Sequence, residues 1–203
     1  MKQKFALLTI LGALLALAVP AISSASMYPA GAKFEIPAGP SFSTSLGNCT
    51  VKITGQVPSA PANEAASVSI PITPTVSTCS SGFSTTMTGE WMLGVSGVAF
   101  TFGAYNNPPE AVVIRSTTLP GCKLSSTGAS AGYQGLFLNG TTTPKVMQSS
   151  YHGHGVARSF TWANDGGTCA IAGTKEAVVW GSGSGVNSVK NLTTPATPII
   201  ASS

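Results

Sequence analysis

Along much of the chain, apolar and polar residues alternate with a period of two. Val51, Ile53 and Val57 interleave with Lys52, Thr54 and Gln56, and Val68, Ile70 and Ile72 interleave with Ser67, Ser69 and Pro71. That period sends one set of side chains to each face of a half-buried strand. Similar runs are "KFEI" (33–36), "CTVKITGQV" (49–57), "ASVSIPITPTV" (66–76), "FSTTMTGEWML" (83–93), "GVAFTFG" (97–103), "AVVIR" (111–115), "QGLFL" (134–138), "VARSFTWA" (156–163), "TCAIAG" (168–173) and "EAVVWG" (176–181). Turns are marked by "NNPP" (106–109), "LPGC" (119–122), "NG" (139–140) and "NDGG" (164–167). Short strands at this spacing predict an all-β chain, an antiparallel β-sandwich or a barrel-like fold. Pro71 and Pro74 cannot donate ladder hydrogen bonds, so their strand is expected at a sheet edge.

The first 25 residues follow a different pattern. Lys2 and Lys4 precede an apolar run from Phe5 to Val19, Pro20 ends it, and small residues follow in "AISSAS". This is the layout of a secretory signal peptide, with cleavage expected after Ala25 or Ser26. The run is about 15 residues, short of the roughly 20 that span a bilayer, and no later segment is long and apolar enough to cross one. The expected location is secreted or extracellular, with periplasm or cell surface as the variants. Residues 26–190 are expected to form the β-domain, and 191–203 a Thr/Pro-rich tail serving as a last edge strand or a flexible end.

Export changes the charge. Without Lys2 and Lys4, eight cations face six anions, and the remaining Lys and Arg are scattered singly. A nucleic-acid footprint needs clustered positive charge, so nucleic-acid binding is not expected. Polarity comes instead from 49 Ser and Thr, with 23 Gly and 14 Pro and only 8% charged residues. This composition supplies pleated surfaces and turns better than solvent-facing helices.

Four widely spaced cysteines, Cys49, Cys79, Cys122 and Cys169, fit two disulfides in an oxidising compartment, with three pairings open in principle. An internal echo selects among them. "LGNCTVKITG" (46–55) aligns without gaps on "LPGCKLSSTG" (119–128), and each half then carries "TC" followed by Trp91 or Trp180. The expectation is Cys49 with Cys79 and Cys122 with Cys169, in two similar halves, 27–118 and 119–190.

Candidate chemistry is sparse. "GASAG" (128–132) has the form of a nucleophile elbow around Ser130, but a strand and turn follow where that motif needs a helix, and no histidine follows Asp165. Both histidines stand in "YHGHG" (151–155), where His152 and His154 would share a strand face and are the weak candidates for a metal. Asp165, Glu110, Glu176 and Glu64 could supply a third ligand, but none lies at a selecting spacing, while Gly153 and Gly155 favour a solvated bend. "GSGSG" (181–185) reads as a hairpin, not a phosphate loop, because neither Lys-Ser/Thr nor a helix follows it. "NCT", "NGT" and "NLT" are glycosylation sequons in form. Phe100, Phe102, Phe137, Phe160, Trp91, Trp162 and Trp180 are expected in the core instead of lining a groove. No cofactor and no catalytic residue is expected.

Residues 49–102, about a quarter of the chain, resemble the small exported bacterial proteins called alkane-oxidation activators. The likeness rests on Cys49 opening an apolar alternation that ends in "TGQV", Cys79 followed by Ser80, Gly89-Glu90-Trp91, and the strand beginning Gly97-Val98. Gly89-Glu90 replaces the Leu-Pro common before that family's tryptophan. The resemblance implies a secreted, non-catalytic β-protein of the cell surface, extracellular matrix or hydrocarbon interfaces, and carries no site residues with it. The expected partners are copies of the same chain, surface polysaccharide or hydrophobic surfaces. A binding module for a small apolar ligand or a metal ion is the rival expectation.

Overall fold

The computed structural model describes residues 26–37, 41–97, 99–106, 108–126, 132–137, 145–148, 156–181, 187–197 and 199–202. The predicted signal peptide lies outside them. The described strands are β1 (Ser26–Tyr28), β2 (Lys33–Ile36), β3 (Ser41–Thr44), β4 (Gly47–Gln56), β5 (Val68–Cys79), β6 (Phe83–Met87), β7 (Glu90–Ser96), β8 (Ala99–Tyr105) and β9 (Val112–Ser116). They continue with β10 (Cys122–Ser126), β11 (Gly132–Phe137), β12 (Lys145–Gln148), β13 (Val156–Asn164), β14 (Lys175–Gly181), β15 (Asn187–Ser188), β16 (Lys190–Asn191) and β17 (Ile200–Ser202). A single 3-10 turn, Ala62–Glu64, is the only helical element among the described residues, and no described helix is long and apolar enough to cross a membrane.

The strands form one long antiparallel sheet in the order β15-β12-β11-β8-β7-β5-β4-β3-β14-β13-β10-β9-β6, with β2 paired to β4 and β16 paired to β2, and a separate β1–β17 pair. The all-β antiparallel fold expected from the alternation is what forms, as a curled sheet. The curl brings its far end back over its middle: the Phe83 ring of β6 meets Phe42 of β3 at 6.4 Å between centroids, and Thr85 Oγ1 lies 3.5 Å from Cys49 Sγ. Inward residues of the alternating runs fill the space between. Phe34, Phe42, Phe102, Phe160, Ile53, Ile70 and Leu93 are fully buried in one apolar cluster that draws on residues from both sides of position 118. Ladders also cross that position, since β3 pairs with β14 and β9 with β10.

Three expectations change in detail. Pro71 and Pro74 do not lie at the edge of the sheet, because β5 sits between β7 and β4. It pairs with β7 only through Val68–Ile72 and with β4 only through Ile72–Cys79, so the ladder changes side at Ile72. Each proline therefore stands in a half-strand laddered on one side, which is all that a missing N–H requires. The run 83–93 is two strands, because Gly89 at φ +80° turns the chain where a Cβ would lie 2.8 Å from Pro108 Cγ. The run 168–173 is a turn in the β13–β14 connection: Asn164 Oδ1 accepts the Cys169 N–H at 2.9 Å, and Ala172 and Thr174 donate back to Cys169 and Ile171.

Both disulfides are present with the expected pairing. Cys49–Cys79 joins directly opposed residues of the β4–β5 ladder, and Cys122–Cys169 ties the start of β10 to that turn. The tail is held as strand: Lys190–Asn191 pairs with Phe34–Glu35, and Ile200–Ser202 pairs with Tyr28–Ser26.

Gly55 marks a tight approach in β4. It lies opposite Phe34 on one side and Ile72 on the other, and a Cβ there would stand 2.7 Å from Phe34 Cζ and 3.0 Å from Ile72 Cγ2. The Phe34 ring is fully buried and cannot swing clear. Gly55→Ala is therefore expected to destabilise the fold by about 1–3 kcal/mol, the usual cost of overpacking a filled core, read as a lower urea midpoint with an unchanged slope. An unchanged midpoint would show that the approach is slack.

Candidate surface site

The aromatic residues that could have lined a groove are mostly structural. Trp91, Phe100, Phe102, Phe160 and Trp162 are all buried in the core, and Trp91 stacks on Phe102 with centroids 4.9 Å apart. The indole N–H of Trp91 donates to Thr88 O at 2.9 Å, and that of Trp162 donates to Glu176 Oε2 at 3.2 Å. The side chains of Phe137 and Trp180 lie outside the description. Ser130, His152 and His154 are outside the described residues altogether.

The carboxylates suggested as metal ligands each have another partner. Glu64 accepts the Tyr28 hydroxyl at 2.6 Å, Glu110 pairs with Lys123 at 2.5 Å, and Glu176 Oε1 accepts both the N–H and the hydroxyl of Ser45, at 2.8 and 2.5 Å. Asp165 is gripped by Arg115, whose Nε and Nη2 donate to its two oxygens, the second at 3.0 Å. Glu35 lies near Lys52 and Lys190, at 3.7 and 3.9 Å. Among the described residues no three His, Cys, Asp or Glu side chains come close enough to share a metal ion. Of the sequons, Asn48 is exposed and accepts the Ser80 hydroxyl at 2.5 Å. Asn191 is buried, accepting from the N–H groups of Thr193 and Thr194 and donating to Thr197 O.

What the sheet presents outward is a broad face of hydroxyls. On β4 and β5, Thr50 Oγ1 lies 2.8 Å from Ser77 Oγ and 2.6 Å from Thr78 Oγ1, while the hydroxyls of Thr54, Thr75 and Ser77 bond to carbonyls of the opposite strand. Where β5 leaves β7, this face opens into a shallow cleft of about 420 Å³ bounded by Pro71, Pro74, Met87, Glu90, Met92 and Tyr105. A second hollow of about 260 Å³ continues it over Gly94 and Gly103 and shares Met92 and Tyr105. Register explains the shape. Glu90 pairs with Tyr105 and Met92 with Gly103, so the side chains of one row rise beside a glycine floor in the next. Tyr105 is 54% exposed, and Asn106 Nδ2 lies 3.4 Å from Glu90 Oε2. Sequence reasoning had no means of finding this cleft: it arises from the change of side at Ile72, which no local pattern marks. No family model, no curated protein and no solved structure matches the chain.

The Arg115 guanidinium holds the Asp165 carboxyl below its ordinary value of 3.8. A depressed acid adds stability that is complete above the unfolded value and is lost as pH falls through the lower folded one. Asp165→Asn is expected to flatten the fall in stability below about pH 4, followed by urea midpoints from pH 6 to 2. An unchanged acid limb would assign that fall to other groups.

Proposed function

We propose that the protein is exported and works without catalysis, by contact of the outer face of its sheet with polymers or surfaces outside the cell. The observation that carries this reading is that Trp91, Phe100, Phe102, Phe160 and Trp162 fill the interior, while the outward positions of β4 and β5 are mostly Ser and Thr with few charges. Such a face approaches another surface with little charge to desolvate. The signal-like leader and the two disulfides support export. Residues 49–102, which resemble the alkane-oxidation activators, contribute these same strands.

Between a polar and an apolar surface, the polar one fits better. The large exposed apolar side chains among the described residues are Tyr28, Tyr105, Val179 and Leu192, and of these only Tyr105 borders the cleft. An interface-active protein needs a contiguous apolar patch.

The test is co-sedimentation of residues 26–203 with insoluble cellulose and, separately, depletion by dispersed alkane droplets, each beside a disulfide-bonded β-sandwich control. The expected result is saturable removal above the control, stronger on the polysaccharide. Removal no greater than the control on both surfaces would overturn the reading.

A further inference from the structure

The cleft at the fork of β5 and β7 has a shape and chemistry of its own. It is open along its length, so it cannot enclose most of a small apolar ligand, as a dedicated pocket does. Across three strands and two residue rows it extends roughly 10 Å by 7 Å, the scale of a chain segment lying on the sheet. One wall is the exposed Tyr105 ring. Opposite it on β7 stands Glu90, and Asn106, in the left-handed region at φ +59°, places its amide against that carboxylate. Thr101 leans over the glycine floor, where a Cβ on Gly94 would lie 2.9 Å from its hydroxyl.

This grouping selects among ligands. Glu90 is the one charged side chain lining the cleft among the described residues, so an anionic polymer meets a like charge and no cation. An extended peptide binds a sheet edge through backbone hydrogen bonds. Pro71 and Pro74 remove two donors from the stretch of β5 that borders the cleft, which disfavours that mode. A polyhydroxylated chain needs neither cation nor strand edge. It offers apolar ring faces to an exposed aromatic and hydroxyls to a carboxylate and an amide, and these are what the rim provides.

The geometry points to a binding site for a neutral polysaccharide chain, with Tyr105 as the stacking platform and Glu90 and Asn106 as the hydroxyl partners. This rests on the surface-contact reading and makes it specific to one site and one ligand class.

The test is native affinity electrophoresis of residues 26–203 at 0.15 M salt in gels containing hydroxyethylcellulose, galactomannan or dextran. Retardation is expected in at least one of these neutral polymers, with the apparent Kd raised at least about fivefold by Tyr105→Ala and about tenfold by Glu90→Ala. Both side chains are exposed, and unchanged urea midpoints would show that the variants fold. In carboxymethylcellulose, Glu90→Gln is expected to bind more tightly than the parent protein because the like charge is gone. Equal retardation of Tyr105→Ala and the parent would overturn the site while leaving surface contact standing. Absence of retardation in all three neutral gels and of removal by cellulose, with depletion by alkane intact, would overturn the ligand class alone. Displacement by a proline-rich peptide but not by any glycan would overturn it in favour of peptide recognition.

Discussion

The architecture depends on the change of side that β5 makes at Ile72. Up to that residue the strand belongs to β7 and the sheet beyond it, and after it to β4 and the roll that returns through β3, β14, β13, β10 and β9 to β6. A strand shared in this way joins two stretches of sheet at an angle. Ile72 stays nearly buried at the junction, against a β4 backbone that only a glycine at position 55 allows to come so close. The same divergence opens the cleft, because β7 starts at Glu90 while β5 runs on to Cys79. Core, curl and surface site are consequences of one local choice of partners.

Around that junction the chain relies on fixed links instead of a large charge network. The Cys49–Cys79 bridge secures the far end of the β4–β5 ladder, and Cys122–Cys169 pins the β13–β14 turn to β10. With loops of 30 and 47 residues, chain-entropy arguments assign each about 4 kcal/mol. Several of the few charges are partnered, as Arg115 is with Asp165, and Glu176 joins the Ser45 turn to the Trp162 indole.

Much of this was legible in the sequence, for physical reasons. Period-two alternation identified β4 and β5, because one face of each is buried and a shift of one residue would expose it, and short apolar runs between turn signals located β2, β9, β13 and β14. The cysteine echo found both pairings. Other features depended on tertiary context. The 168–173 run has strand composition, yet the Cys122 bridge and the Asn164 cap hold it as a turn. The prolines of β5 signalled a missing ladder partner, which a sheet edge supplies and a change of side supplies equally well. Tyr105, Glu90 and Asn106 come together through the β7–β8 register, and no spacing along the chain distinguishes them from any other exposed residues.

The central claim is that both parts of the chain share one core and fold together. Differential scanning calorimetry of the oxidised protein, residues 26–203, tests this most directly. The account predicts a single transition whose van't Hoff and calorimetric enthalpies agree. Two resolved transitions, one retained by a fragment ending near residue 118 and the other by a fragment beginning there, would contradict it.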